Sequence, residues 1–335
     1  MDEDYNDANR AFLQAFMSRS TMTFEEAQPI LAAIFSAHER RSISPDDVTQ
    51  EHLSSYISSA NSAISPFDLE IRSSLRQLAK RNNNETPEGP PSRVYALVNT
   101  TSDPLTQLAT TYTADEIAFV KRVLDYMFVT NNTRLCEGMV IRSTQAMHLA
   151  HVSADASRRR ATSTGTQQTQ QTQGGAAQNL SMKQAEEVMK RLVEEGWLEK
   201  SRKDFFSLTP RALMELRGWL VLTYNDTVDG RRIDRIKFCA ACKDLITVGQ
   251  RCGTRDCSGR LHDHCMQNFF RMQQTRKCPV CKKDWPGDNF VGERAVTSAN
   301  RRQSSNIPQQ TETSSRTQNG HTGDLEEEVD GESED

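Results

Sequence analysis

Seven of the eight cysteines in this 335-residue chain fall between Cys239 and Cys281, in "CAACKDLITVGQRCGTRDCSGRLHDHC" and the "CPVC" that follows it. A stretch so rich in thiols and so poor in large apolar residues can fold through disulfides or around metal. The opening "MDEDYNDANR" is acidic, and no run of eighteen apolar residues occurs, so neither a basic secretory leader nor a spanning helix is expected. The reading is therefore an intracellular chain, where clustered cysteines hold metal more often than they form disulfides. The candidate ligands pair as Cys239/Cys242, Cys252/Cys257, His262/Cys265 and Cys278/Cys281. Zn2+ takes four tetrahedral ligands, and a Cys-x2-Cys turn is just long enough for both sulfurs to reach one ion. Eight ligands predict two Zn2+ ions.

His262 is preferred to His264 as the one histidine ligand, because His262-x2-Cys265 repeats the gap of the other pairs and His264 adjoins Cys265. His264 is read as a solvent-facing neighbour. With every position filled, no site is left for water or substrate, which argues against a hydrolytic zinc enzyme. Metal at such sites contributes on the order of 10–16 kcal/mol to folding, more than a core this small could supply.

Charge separates the chain into parts. The net charge of −4 hides an acidic end: "DLEEEVDGESED" carries eight acids and no base, and without it 41 basic residues face 37 acidic ones. From Arg231 to Asp284 thirteen Lys/Arg stand against five Asp/Glu. Seven thiolates and two Zn2+ bring that +8 to about +5, a basic module suited to nucleic acid or an acidic protein surface.

An α+β chain is expected. The apolar share of 36% is low for a chain that is globular throughout. Residues 153–179, with "TQQTQQTQGG", read as a flexible low-complexity insert, and 297–335 as a disordered acidic tail. Between them, Ser181-x-x-Gln184 is a capping box, and Ala185, Val188, Met189, Leu192 and Val193 form one apolar stripe. Gly196 follows as a C-cap, "WLEK" and "FFSL" flank a turn, and Thr209-Pro210 opens another helix. Helix, hairpin, helix is the closing half of a winged helix. A fainter copy lies upstream, where helices near 8–19, 23–38 and 45–63 precede a hairpin within 68–98. Pro29 is expected to kink or shorten the second of these. The domains are thus winged helix A, 6–100; winged helix B, 112–224; and a cysteine-rich module, 236–290. Cys136, far from the cluster, is read as a small apolar filler.

The ligand order, four cysteines, one histidine and then three cysteines, is shared by PHD fingers and variant RING domains. Arg276 stands where a PHD finger carries an aromatic, whereas "CPVCKKDWPG" is similar to a RING. That resemblance implies a cross-brace, first pair with third and second with fourth; spacing alone also permits sequential sites. With two winged helices ahead of it, the chain resembles the non-SMC element 1 family over roughly residues 8–290. "CAACKDLITVGQRC", "RLHDHC", "CPVCKKDWP" and "FSLTPRALMEL" carry the likeness. This family is the RING-bearing subunit of the chromosome-maintenance complex built on the SMC five–six pair. The resemblance implies a nuclear protein of DNA repair, acting as a ubiquitin ligase beside a MAGE-type winged-helix partner and a kleisin subunit. It also implies that a ubiquitin-conjugating enzyme docks near Ala241, Leu245, Pro279 and Trp285, with Lys282 as the cationic linchpin. Small Ala240 and Ala241, and Lys rather than Arg at 282, point to weak or partner-dependent activity. Two other readings compete: a structural adaptor, and DNA binding through Lys183, Lys190, Arg191, Lys200, Arg202 and Lys203. Glu186, Glu187, Glu194 and Glu195 on the same helix oppose the latter.

Overall fold

The computed structural model describes residues 5–78, 91–100, 111–151, 179–228 and 231–304. The first unit runs α1 (Asp7–Arg19), β1 (Thr21–Thr23), α2 (Phe24–Glu39), α3 (Gln50–Ile64), β2 (Leu69–Leu75) and β3 (Arg93–Asn99). β3 lies between β1 and β2 and is antiparallel to both, with Met22 opposite Tyr95 and Ile71 opposite Leu97. That order and pairing make a winged helix. Local chemistry starts each helix: Asn6 caps α1, and α2 opens on the Thr23–Glu26 box. α3 opens on a variant box in which His52 Nδ1 accepts from the Thr49 N–H at 3.2 Å. Phe12, Phe16, Met22, Leu31 and Leu53 turn inward as its core, each burial contributing about 1.5–3 kcal/mol. Helix α2 is not shortened at Pro29: it runs continuously to Glu39, because packing of Ala27, Leu31 and Ala32 outweighs one missing N–H.

The second unit repeats the order with α4 (Ala114–Asp125), β4 (Ile141–Arg142), α5 (Ser143–His148), α6 (Met182–Glu194), β5 (Leu198–Lys200) and β6 (Phe205–Leu208). Its sheet is again strand one, three, two: β4–β6–β5. The insert expected at 153–179 falls between α5 and α6 and, apart from Asn179, lies outside the described residues. The α6 stripe buries Ala185, Val188, Met189 and Leu192, and Gly196 leaves the helix at φ +75°. Strands β1 and β4 had no counterpart in the sequence reading. At three and two residues they are too short to alternate, and they exist because β3 and β6 offer them an edge.

Thr209 caps α7 (Pro210–Glu215), which packs across β2 and β3 of the first winged helix, and Arg76 pairs with Glu199 at 2.7 Å. After α8 (Arg217–Tyr224), a hairpin of β7 (Asn225–Val228) and β8 (Arg231–Asp234) leads to the cysteine-rich module. There β9 (Gly249–Arg251) lies between β10 (Arg260–Leu261) and β11 (Phe290–Val291), beside α9 (Asp263–Gln273). Ile236, Leu245 and Val291 of this region belong to the core of the second winged helix. A last helix, α10 (Glu293–Ser304), occupies the first residues of the segment expected to be a disordered tail from 297; the remainder lies outside the described residues. Among the described residues no helix is long and apolar enough to cross a membrane.

Candidate metal centre

The eight expected ligands gather into two sets. Cys239, Cys242, His262 and Cys265 form one, and Cys252, Cys257, Cys278 and Cys281 the other, with the ligand atoms of each set within 4.8 Å of one another. First pair meets third and second meets fourth, so the sets interleave as the RING resemblance implied.

Two matching turns supply half of these ligands. Lys243 N–H donates to Cys239 O at 3.0 Å and Cys239 N–H to Asp244 O at 2.8 Å; Lys282 and Cys278 repeat this with Cys278 O and Lys283 O at the same distances. The lysines sit in the left-handed region at φ +65° and +62°, at roughly 1–2 kcal/mol each. Between the turns, the Cys252 N–H donates to Gly259 O at 2.9 Å. Gly259 is a close approach: a Cβ there would lie 2.5 Å from Cys278 Sγ.

His262 is buried, with Nδ1 3.3 Å from Cys242 Sγ and 3.9 Å from Cys265 Sγ, while Nε2 lies 3.3 Å from Leu245 O. An Nε2–H donating to that carbonyl leaves the Nδ1 lone pair facing the sulfurs, the tautomer a metal ligand needs. His264 is not the solvent-facing neighbour expected. It stacks on His262 at 4.9 Å between centroids, and its Nδ1 is buried without a hydrogen-bond partner among the described residues.

The donor sets fit a soft divalent cation. Hydrogen bonds from Cys242 and Cys265 hold the Cys239 thiol far below its ordinary value, and bonds to Cys239 and Cys242 push Cys265 far above it. In the other set burial pushes Cys257 up to about 12, while the Lys283 backbone N–H draws Cys281 down to about 6. Thiols crowded this closely cannot all ionise together; a cation among them removes the conflict.

The residues expected to meet a conjugating enzyme divide. Leu245 is 3% exposed within the core of the second winged helix, and Trp285 is 4% exposed, with Nε1 donating to Gln250 Oε1 at 3.1 Å. Neither offers a surface: Leu245 fills the core of the second winged helix and Trp285 that of the module. Ala241 and Pro279 are half-buried; Lys282 is exposed and its Nζ donates to Pro279 O at 3.0 Å. Val280 beside it, which the sequence reading passed over, is 53% exposed. Cys136 is half-buried, and burial pushes its thiol up.

A cluster with no sequence signal joins the module to the second winged helix. Glu137, in the loop before β4, is 3% exposed and faces Arg260, 1% exposed. Arg260 Nε donates to Glu137 Oε2 at 2.7 Å and Nη2 to Oε1 at 2.5 Å; Lys237 Nζ donates to the same Oε1. Arg260 Nη1 also donates to Cys257 O at 2.7 Å and Gly259 O at 2.8 Å, bracing the backbone that carries a ligand. Burial pushes the Glu137 carboxyl up, but Arg260 and then Lys237 outweigh it and hold it below the ordinary value. In sequence these are a lone Glu in "LCEGMV" and a lone Arg in "SGRLH".

The cations considered for DNA are mostly engaged within the chain. Lys190 pairs with Glu194, Arg191 with Glu116, Lys200 with Asp204 and Lys203 with Glu293.

Tandem winged helices packed on a module of two interleaved four-ligand clusters define the class: a winged-helix protein carrying a RING-like domain. A family model described as the Nse1 non-SMC component of the SMC5-6 complex matches residues 9–216, and one described as a RING-like domain matches 239–281. The chain belongs to that Nse1 family. It is 25% identical over 280 residues to the human protein named non-structural maintenance of chromosomes element 1 homolog, covering 84% of each chain. With the rat protein of that name it shares 24% over 282 residues, 84% of this chain and 85% of the relative. The budding yeast non-structural maintenance of chromosomes element 1 is 24% identical over 171 residues, 50% of this chain and 48% of the relative. A solved chain from a structure named Nse1-Nse3-Nse4 complex shares the fold, with TM-score 0.59 and 21% identity over 85% of this chain and 99% of that one.

Proposed function

We propose that this chain is the RING-bearing subunit of an SMC5-6 chromosome-maintenance complex, working in the nucleus in DNA repair. Each interleaved cluster holds one Zn2+, through Cys239, Cys242, His262 and Cys265 and through Cys252, Cys257, Cys278 and Cys281. The ions supply the cross-links that a module of this size lacks in apolar core. With all ligand positions filled by the chain, chemistry at the metal is not its use.

The partners follow from family membership and from the named components of the similar structure: a MAGE-type winged-helix subunit and a kleisin subunit, corresponding to Nse3 and Nse4. The winged helices are the surfaces offered to them. The module acts as a ubiquitin ligase by holding a ubiquitin-charged conjugating enzyme so that the thioester reacts, a matter of positioning. Ala241, Pro279, Val280 and Lys282 meet the conjugating enzyme, and Lys282 supplies the cation turned to ubiquitin. The observation that carries this reading is the pair of interleaved clusters with the second turn left at the surface.

Discharge of ubiquitin from a charged conjugating enzyme, with and without the MAGE-type partner, tests it. Stimulation, strongest with the partner, is expected. A second reading, a non-catalytic adaptor, is favoured by the burial of Leu245 and Trp285. No stimulation in either case, with two zinc atoms verified per chain, selects the adaptor.

A further inference from the structure

We propose that Gln77 of the first winged helix is a positioning residue for the Cys239–Cys242–His262–Cys265 centre, and that through it this winged helix sets how firmly the centre keeps its ion. The proposal rests on the zinc reading above and names a control on it. Gln77 lies just beyond β2 and 168 residues before Leu245. Its amide grips the loop that follows the first cysteine pair. Nε2 donates to Leu245 O at 2.7 Å, and Oε1 accepts from Thr247 N–H at 2.9 Å, Val248 N–H at 3.0 Å and Thr247 Oγ1 at 3.2 Å. Thr247 is buried, so water is poorly placed to substitute for that oxygen.

The Leu245 carbonyl is also the oxygen that His262 Nε2 faces at 3.3 Å. Partners of this kind orient a ligating histidine and select its tautomer, and losing one costs about 10- to 100-fold in metal affinity. Gln77 therefore places the group that places a ligand. The all-cysteine centre draws its N–H···S contacts from inside the module, Thr254 to Cys252 Sγ and Gly259 to Cys257 Sγ, both at 3.4 Å. A partner gripping the first winged helix thus acts on one centre through a single intervening side chain.

The test uses the full chain loaded with Co2+, whose absorption differs between the histidine-containing and the all-cysteine ligand sets, and follows release to excess EDTA. Gln77→Ala removes the grip. Gln77→Glu keeps acceptors for Thr247 and Val248 but repels the Leu245 carbonyl. Arg76→Ala is the control: it breaks the 2.7 Å pair with Glu199 on the second winged helix without touching that carbonyl or the ligand turns. Release from the histidine-containing centre about tenfold faster in both Gln77 variants is expected, with the all-cysteine centre and the control at wild-type rates. Equal acceleration of both centres would reduce Gln77 to a docking contact and overturn the proposal, as would a rate within about twofold of wild type in either variant. Fewer than two equivalents bound by wild type would overturn the metal reading and this proposal with it.

Discussion

Glu137 and Arg260, 123 residues apart, meet as a two-pronged ion pair at 2.7 and 2.5 Å, both buried between the second winged helix and the cysteine-rich module. The Glu137 carbonyl also accepts the Gly292 N–H at 2.8 Å. The module is therefore part of the second winged helix's packing. Glu137→Ala leaves the buried Arg260 uncompensated and removes the partner of the half-buried Lys237, and a loss of about 3–5 kcal/mol is expected from urea unfolding of the metal-loaded chain.

The same pair sets a pH dependence. The folded carboxyl titrates below its unfolded value, so its stabilisation is complete above the ordinary carboxylate range and is lost as pH falls through the lower, folded value. Acid also releases metal, so the comparison is between wild type and Glu137→Gln. The variant is expected to be less stable near neutrality, with the gap closing on acidification, as read by unfolding midpoints across pH.

Gly259→Ala should damage one centre. Its Cβ would stand 2.5 Å from Cys278 Sγ and 3.4 Å from Cys257 Sγ, and these sulfurs cannot retreat while binding metal. Elemental analysis is expected to fall from two zinc atoms per chain towards one.

Metal removal should be felt unevenly. Cys252→Ser, or exhaustive chelation, is expected to unfold the module and to loosen the second winged helix, which shares Ile236, Leu245 and Val291 with it. The first winged helix has its own core, so exchange protection of amides in α1–α3 should persist. Uniform loss of protection in both winged helices would contradict this.

Reversing the wing charges at Lys200, Arg202 and Lys203 is expected to leave any DNA affinity unchanged, because Lys200 and Lys203 already face Asp204 and Glu293. Anisotropy titrations at low and moderate salt check this, since phosphate contacts would show a steep salt slope. Both pairs are partly open to solvent, so stability should shift by less than about 1 kcal/mol.

Local chemistry was legible where the chain itself carries a period or a cap. The box at Ser181, the α6 stripe, Gly196 and the paired ligand spacings all stand in the folded chain as local patterns dictate. Those signals depend on neighbours within a few residues, so sequence alone determined the α6 helix, the hairpins of the two winged helices and the set of eight ligand candidates, whereas α10 forms where a disordered tail was expected. Tertiary structure decided what those pieces do to one another. Only packing sorts the ligands into interleaved sets, stacks His264 on His262 and takes Leu245 and Trp285 out of reach of any partner. Only packing brings Glu137 to Arg260 and Gln77 to Leu245. Each is a single polar residue whose environment is supplied by chain more than a hundred positions away, and such distant partners leave no local trace.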